Sequence, residues 1–265
     1  MSGVIKALVT GGGSGIGEAI ALRLAADGAR VLIVGRDASK LQTVAARAPQ
    51  NIDTLVADLT AEADLLRLVE RAVAWDGTGI NILVNNAGMG SSGFFEDADT
   101  REIKTLLQSN LVAPLCLTQA LLAHLRSLPE AHIVNIGSVF GYIGYPSQAV
   151  YSASKFGLRG FSEALRRELA GSAVQVHHIA PRATRTAMTA ATGEMNRRLG
   201  NRVDEPARVA AVLARMLSRR QANAVVGWPE AFFVRVNSLF PSLVDGALSR
   251  QLPVLRQFIQ GGARP

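Results

Sequence analysis

The sequence predicts an α/β chain in which a doubly wound parallel sheet of seven strands, flanked by helices, is followed by a C-terminal amphipathic helical extension. Three observations predict it. Short apolar runs of strand type alternate with helical patterns over residues 4 to 226, as right-handed strand–helix–strand crossovers require. The first of these runs stops in a glycine-rich loop that opens a helix. The residues that look neither core-like nor merely solvating collect just past strand ends, where open parallel sheets hold their ligands.

Val4 to Val9 is the first strand, stopped by Thr10-Gly11-Gly12-Gly13-Ser14-Gly15-Ile16-Gly17; Ile20, Leu22, Leu24 and Ala25 then carry a helix to Gly28. Glycines let a backbone approach a pyrophosphate, and a helix N-terminus offers free N–H groups and the positive end of its dipole. The spacing of Gly11, Gly15 and Gly17 departs from the commoner Gly-x-Gly-x-x-Gly and lacks the Gly-Lys-Ser/Thr of a mononucleotide loop. Val31 to Val34 is the second strand and ends in Gly35-Arg36-Asp37. An acid near this point would hold the adenosine ribose hydroxyls of a dinucleotide. A small residue followed by a guanidinium suits a 2′-phosphate instead, so NADP is expected in preference to NAD. The plainer alternative makes Arg36 a surface residue and Asp37 the cap of a helix starting near Ala38.

Ile52 to Ala57 is the third strand, closing on Asp58-Leu59; a helix follows over Ala61 to Trp75. Ile80 to Val84 is the fourth, closing on Asn85-Asn86-Ala87-Gly88. A long helix covers Leu111 to Leu125, with Asn110 at its start and Pro114 in its first turn. Ala131 to Ile136 is the fifth strand and delivers Ser138; the helix Gln148 to Leu169 carries Tyr151 and Lys155. Val174 to Ile179 is the sixth strand, stopped by Pro181. Residues 182–201 are polar and arginine-rich, and read as a mobile lid. Glu205 to Leu217 is a helix, and Ala222 to Val226 the seventh strand.

Tyr151 and Lys155 stand one helical turn apart on one face. A cation beside a phenol favours phenolate and lowers its pKa, and the nearby Ser138 hydroxyl can bond the same substrate oxygen. That is acid/base equipment for a carbonyl or an alcohol, and it needs a redox partner. Composition sets the remaining bounds. The 265 residues are 48% hydrophobic and 18% charged, enough for a large core and too apolar for disorder. A single cysteine excludes an intramolecular disulfide framework, and Leu115-Cys116-Leu117 reads as a buried inert thiol. The four histidines (His124, His132, His177, His178) lack metal-ligand spacing, and no metal is expected. Met1-Ser2-Gly3 runs straight into a strand, leaving no room for a signal peptide, and no apolar run approaches a membrane span. The expectation is a cytoplasmic protein. The net charge of +7 comes without a lysine-rich block or aromatic–basic interleaving, so it points to anionic ligands rather than nucleic acid.

Taken together, the Thr-Gly-x-x-x-Gly-x-Gly loop, Asn-Asn-Ala-Gly, Ser138, Tyr151 and Lys155 resemble the short-chain dehydrogenase/reductase superfamily, in its short single-domain branch, over residues 4 to 226. The resemblance implies a Rossmann-type sheet. It implies that Gly11, Gly15, Ile16 and Gly17 form the pyrophosphate loop with Ser14 near the adenosine phosphates, and that Arg36 confers NADP preference. It places Asp58 and Leu59 on adenine, Asn86, Ala87 and Gly88 beneath the nicotinamide ribose, and Pro181 and Thr186 on the carboxamide. Asn110, Ser138, Tyr151 and Lys155 become a catalytic tetrad, the last two also touching the cofactor. The implied reaction is reversible hydride transfer between NADPH and a ketone or aldehyde, Tyr151 giving the proton and Asn110 positioning a water that reaches Lys155. Phe140, Tyr142, Tyr145 and Met188 are expected to line the substrate pocket, which suggests an apolar substrate.

One departure stands out: the family's Pro-Gly after the sixth strand is Pro181-Arg182, which puts a guanidinium near the cofactor or lid. Two alternatives stay open. One is a β-ketoacyl thioester reductase, with the arginine-rich 182–202 segment docking an acidic carrier protein or CoA; the other is an idle NADP-binding regulator or scaffold. A homodimer or homotetramer is expected. The domain proper is read as 1–226 and the extension as 227–265. In it, Phe232, Phe233, Val236, Leu239, Phe240, Leu243, Val244 and Leu248 recur at helical spacing, split by Pro241, before a second stripe at Leu252, Leu255, Phe258 and Ile259. Such a stripe packs on its own or a neighbouring subunit, or, through residues 231–259, on a membrane surface or a lipid substrate.

Overall fold

In the computed structural model, which describes residues 4–190 and 193–260, seven parallel strands run in the order β3-β2-β1-β4-β5-β6-β7. They are β1 Lys6–Thr10, β2 Arg30–Gly35, β3 Ile52–Val56, β4 Ile82–Asn85, β5 Ala131–Ile136, β6 Val174–Ala180 and β7 Asn223–Val225. Met1 to Gly3, on which the leader expectation rests, residues 191–192 of the lid and the chain end 261–265 lie outside the described residues. Strand order reverses between β1 and β4, so the connections leave their carboxyl ends in opposite directions and open a crevice there.

Alternate strand residues point to opposite faces, and both faces are covered, so the strands read as nearly continuous apolar runs. Ala7, Val9, Ile33, Val84 and Ile179 pack under α1 (Gly15–Ala26), α2 (Ala38–Ala45) and α9 (Pro206–Arg219). Leu8, Leu32, Leu83 and Ile133 pack under α3 (Glu62–Ala74), α5 (Ala113–Ser127) and α6 (Ala149–Glu168). Asp37 caps α2 by accepting from Ser39 N at 3.0 Å and Lys40 N at 3.2 Å.

Three expectations are corrected by the packing. Asn110 does not start a helix: it lies inside a continuous helical stretch, between α4 (Thr100–Leu107) and α5, in a π-turn over Gln108–Val112. Pro114 has no N–H to return to the Asn110 carbonyl, which interrupts the α-helical ladder at this point. The combined stretch Thr100–Ser127 is long and apolar enough to cross a membrane by length and composition, but it buries Leu106, Leu117, Leu121 and Leu125 in the core. Cys116 is exposed, because it falls one residue off that buried stripe. The lid contains two short helices, α7 (Ala187–Ala190) and α8 (Gly193–Arg198), and its ends are tied where Arg185 N donates to Asp204 O and Asp204 N to Ala183 O, each at 2.8 Å.

The extension forms α10 (Trp228–Leu239), α11 (Pro241–Ser249) and α12 (Leu252–Gln260). It leaves most of its first stripe exposed. Trp228, Phe232, Phe233, Leu239, Phe240 and Leu243 are all exposed, and among the described residues of the extension only Val234, Val244 and Leu255 are buried.

Candidate active site

The site is built at the carboxyl ends of β1, β4 and β5. Thr10, the last residue of β1, ties two loops together: its hydroxyl donates to Val84 O at 3.2 Å and accepts from Asn86 N at 2.9 Å and Ala87 N at 3.0 Å. Asn86 answers by donating its Nδ2 to Thr10 O at 2.9 Å, so this side chain clamps the glycine loop rather than facing the crevice. Gly17 packs where no side chain fits, since a Cβ there would stand 2.2 Å from Gly11 O and 2.5 Å from Asn86 Nδ2. Ser14, exposed, precedes α1 without making a side-chain cap bond. Thr186 from the lid lies against Gly15, 2.8 Å from where a Cβ would be. Pro181 accepts Val139 N at its carbonyl, 3.0 Å away, and so fixes the turn beneath Ser138.

Arg36 is exposed at the end of β2, close enough to Asp58 for its charge to help hold that carboxyl below the usual range. The larger causes are the Thr60 N–H at 2.9 Å and the Thr60 hydroxyl at 2.7 Å. Leu59 is half-buried beside it. The residues therefore suit a dinucleotide. A side-chain-free loop, a helix N-terminus and an exposed serine meet on one side, with an exposed guanidinium at the second strand end.

Across the crevice, Gly137 carries the chain from β5 to Ser138, which is buried and accepts from Phe140 N at 3.1 Å. The Ser138 hydroxyl lies near enough to the Tyr151 phenol to favour its ionised form, and Lys155 Nζ lies 5.6 Å from the Tyr151 ring centroid. Lys155 is buried, and its Nζ donates to Ile136 O at 3.1 Å with no carboxylate beside it among the described residues. Burial alone pulls this ammonium down to about 8. Asn110 is buried behind it, its Oδ1 accepting from Met89 N and its Nδ2 donating to Met89 O, both at 2.8 Å. Gly88 is the meeting point, since a Cβ there would lie 3.0 Å from Asn110 Oδ1 and 3.8 Å from Lys155 Nζ.

The sign of the Tyr151 shift is a correction. Burial pushes the phenol up, and the Ser138 hydroxyl pulls it only partly back. The expected lowering by Lys155 does not dominate, because the phenol loses hydration while the cation next to it is itself desolvated and engaged by Ile136 O.

The expected pocket residues divide. Phe140 stacks on Tyr145 at 4.6 Å and stands edge-on to Tyr151 at 6.4 Å, forming an aromatic wall beside the phenol. Met188 leans on Gly90 from the lid, half exposed. Tyr142 points elsewhere. Arg159 covers its ring at 4.0 Å, its hydroxyl lies 3.4 Å from His178 Nδ1, and it lines a cavity of about 630 Å³ between α6, α9, β7 and α10. Arg182 also points away from the cofactor crevice. It is buried, donates to both Asp204 oxygens at 2.9 and 2.6 Å, and reaches Glu230 of α10 at 3.1 Å. A guanidinium in place of glycine thus links the end of β6, the lid base and the extension. Three other lid arginines hold carboxylates: Arg185 pairs with Glu205 at 2.7 Å, and Arg197 and Arg198 share Glu194 at 2.6 and 3.2 Å.

Sequence reasoning missed Thr10, Asp204 and Gln251. Gln251 accepts the Tyr145 hydroxyl at 2.6 Å, bringing α12 to the pocket wall. Thr10 carried a signal, as the hydroxyl preceding the glycines; Gln251 carried none, being distant in sequence and placed only by tertiary folding.

The comparisons agree with this geometry. The family model described as short chain dehydrogenase matches residues 6–197. A nodulation protein G of Rhizobium sp. (strain N33) is 40% identical over 184 residues, covering 69% of this chain and 75% of that protein. A 3-ketoacyl-(acyl-carrier-protein) reductase from Brucella melitensis, solved with NADH, superposes with a TM-score of 0.78 at 30% identity, over 84% of this chain and 96% of that one. A variant of the actinorhodin polyketide ketoreductase, solved with NADPH, gives 0.77 at 29% identity, over 84% and 95%.

Proposed function

This chain belongs to the short-chain dehydrogenase family of oxidoreductases, and from that premise we propose that it is an NADP(H)-dependent reductase of apolar ketones or aldehydes. The reading rests on one observation: Ser138, Tyr151 and Lys155, with Asn110 behind Gly88, converge at the strand ends across the crevice from the glycine loop. When bound, the dinucleotide supplies the hydride that reduces the carbonyl carbon. Ser138 donates a hydrogen bond to the carbonyl oxygen and orients it toward the phenol. Tyr151 gives its proton to that oxygen as the carbon becomes tetrahedral, so the alcohol leaves neutral. Lys155, charged below about pH 8, offsets the phenolate that remains. Asn110 holds the Met89 backbone at both its N–H and C=O, which fixes the loop after Gly88 around the lysine.

NADP is preferred on this reading because Gly35 leaves room and Arg36 supplies an exposed charge, with no acid at the ribose position. The aromatic wall of Phe140, Tyr145 and Tyr151 supports an apolar substrate. A second reading, reduction of β-ketoacyl thioesters, is favoured by the reductase with which the chain superposes. Docking of an acidic carrier on residues 182–202 has less support, since Arg182, Arg185, Arg197 and Arg198 already hold carboxylates. The test is NADPH oxidation against a panel of ketones, aldehydes and acyl thioesters, with wild type and Tyr151→Phe. Loss of the proton donor should lower kcat by about 10²–10⁴ while NADPH binding persists; turnover near wild type in that variant would sink the assignment.

A further inference from the structure

Helix α10 is mounted inside out. At about 100° per residue, Trp228, Phe232, Val236, Leu239 and Phe233 share an arc of roughly 140°, and all of them but the half-buried Val236 are exposed. Trp228 is 79% exposed and Leu239 71%, and the corner into α11 adds Phe240 and Leu243. Polar groups do the docking on the opposite side: Glu230 accepts from Arg182 at 3.1 Å and Asn237 Nδ2 donates to Tyr142 O at 3.0 Å, with Val234 between them. A helix held to its protein by its polar side presents its aromatic side to something else. Trp228 and Phe232 stack at 6.1 Å, forming one continuous apolar ridge.

The rim of that ridge identifies the occupant. Arg235 lies at its edge and, with Arg208 and Arg215 of α9, lines the 630 Å³ cavity beside it. Arg215, Arg235 and the exposed Arg250 at the end of α11 form no ion pair among the described residues. A second copy docked here about a two-fold axis would bring the same excess positive charge to this rim. A bilayer carrying anionic headgroups would meet them with phosphates while the aromatic ridge enters the acyl boundary. We infer that the α10–α11 corner is a docking element for an anionic membrane surface. It sits beside the pocket loop, since Asn237 bonds Tyr142 O and Tyr145 bonds Gln251, but the inference does not depend on the reaction proposed above.

The chain carries its own probe. It has two tryptophans; Trp75 is buried at 1% exposure with its Nε1 on Asp53 at 2.8 Å, so a change in emission on docking reports Trp228. Vesicles of phosphatidylcholine with phosphatidylglycerol should shift the emission to the blue, be quenched by brominated acyl chains, and co-sediment the full chain at least tenfold more strongly than phosphatidylcholine alone. Phe232→Ser with Phe240→Ser should remove this binding at an unchanged melting temperature. Arg235→Glu, at an exposed position on the cavity rim, should weaken it about fivefold or more, on the usual weight of one basic residue at an anionic surface. No blue shift with anionic vesicles, or equal binding to neutral ones, overturns the inference. So does a concentration-dependent dimer that the two phenylalanine substitutions dissolve in the absence of vesicle binding, which would give the ridge to a second copy.

Discussion

Replacing Lys155 with methionine should make the dinucleotide-free protein more stable at neutral pH. The ammonium is buried and, among the described residues, has a single hydrogen bond, to Ile136 O at 3.1 Å, and no counter-ion. Its pKa falls from 10.5 to about 8, which corresponds to a penalty of about 3 kcal/mol for holding the charged form at pH 7. Methionine fills similar space without charge, and the lost bond to the carbonyl returns about 1 kcal/mol. The net gain is about 2 kcal/mol, or about 4–8 °C in Tm for a chain of this size. The pH dependence has a definite sign. Below pH 8 the lysine is charged in both folded and unfolded chains, and the full penalty applies. Between pH 8 and 10.5 the unfolded chain binds more protons at this position, so wild-type stability rises with pH and the gap to Lys155→Met closes. Urea unfolding of both proteins across this range, without dinucleotide, measures the gap directly and cancels other titrations. A methionine variant no more stable than wild type at pH 7, or a gap that fails to shrink by pH 10.5, would refute the reasoning. The same substitution should abolish reduction, so that stability and activity trade against each other at one residue.

Other substitutions test other parts of the structure. Arg182→Ala removes the cation shared by buried Asp204 and partly buried Glu230, leaving Asp204 only Arg208 at 3.1 Å, so urea unfolding should show a loss of about 3 kcal/mol, the lower end for breaking a buried pair. Gly17→Ala places a methyl 2.2 Å from Gly11 O; NADPH affinity, read by fluorescence titration, should drop by about tenfold or more as the loop opens, with little change in affinity if the loop is not the phosphate cradle. Arg36→Ala should weaken NADPH by about 10- to 100-fold and leave NADH unchanged, so a wild-type preference for NADH in kcat/KM would overturn the coenzyme proposal.

The fold class was legible because it is written in local periodicity. Strand runs such as Val31 to Val34 are apolar throughout since both sheet faces are covered, and the glycine loop lies between a strand and a helix wherever the rest of the chain goes. Asp37 was legible as a cap for the same reason, its partners Ser39 and Lys40 being two and three residues away. Asn110 was misplaced at a helix start because α4 carries a short, mainly polar pattern with one buried residue, Leu106, and the π-turn joining it to α5 leaves no periodic trace.

What tertiary structure alone decided are the choices among distant partners. Tyr142 and Tyr145 are three residues apart in one loop, yet one lies under Arg159 and the other joins the aromatic wall and reaches Gln251. Arg182 looked like a charge near the cofactor until Asp204 and Glu230, carried in by the lid base and α10, were brought to it. The amphipathic stripe of α10 was plain in the sequence, but periodicity specifies a face and not its direction. That direction followed from Glu230 and Asn237 finding Arg182 and the Tyr142 carbonyl, which turned Trp228 and Phe232 outward.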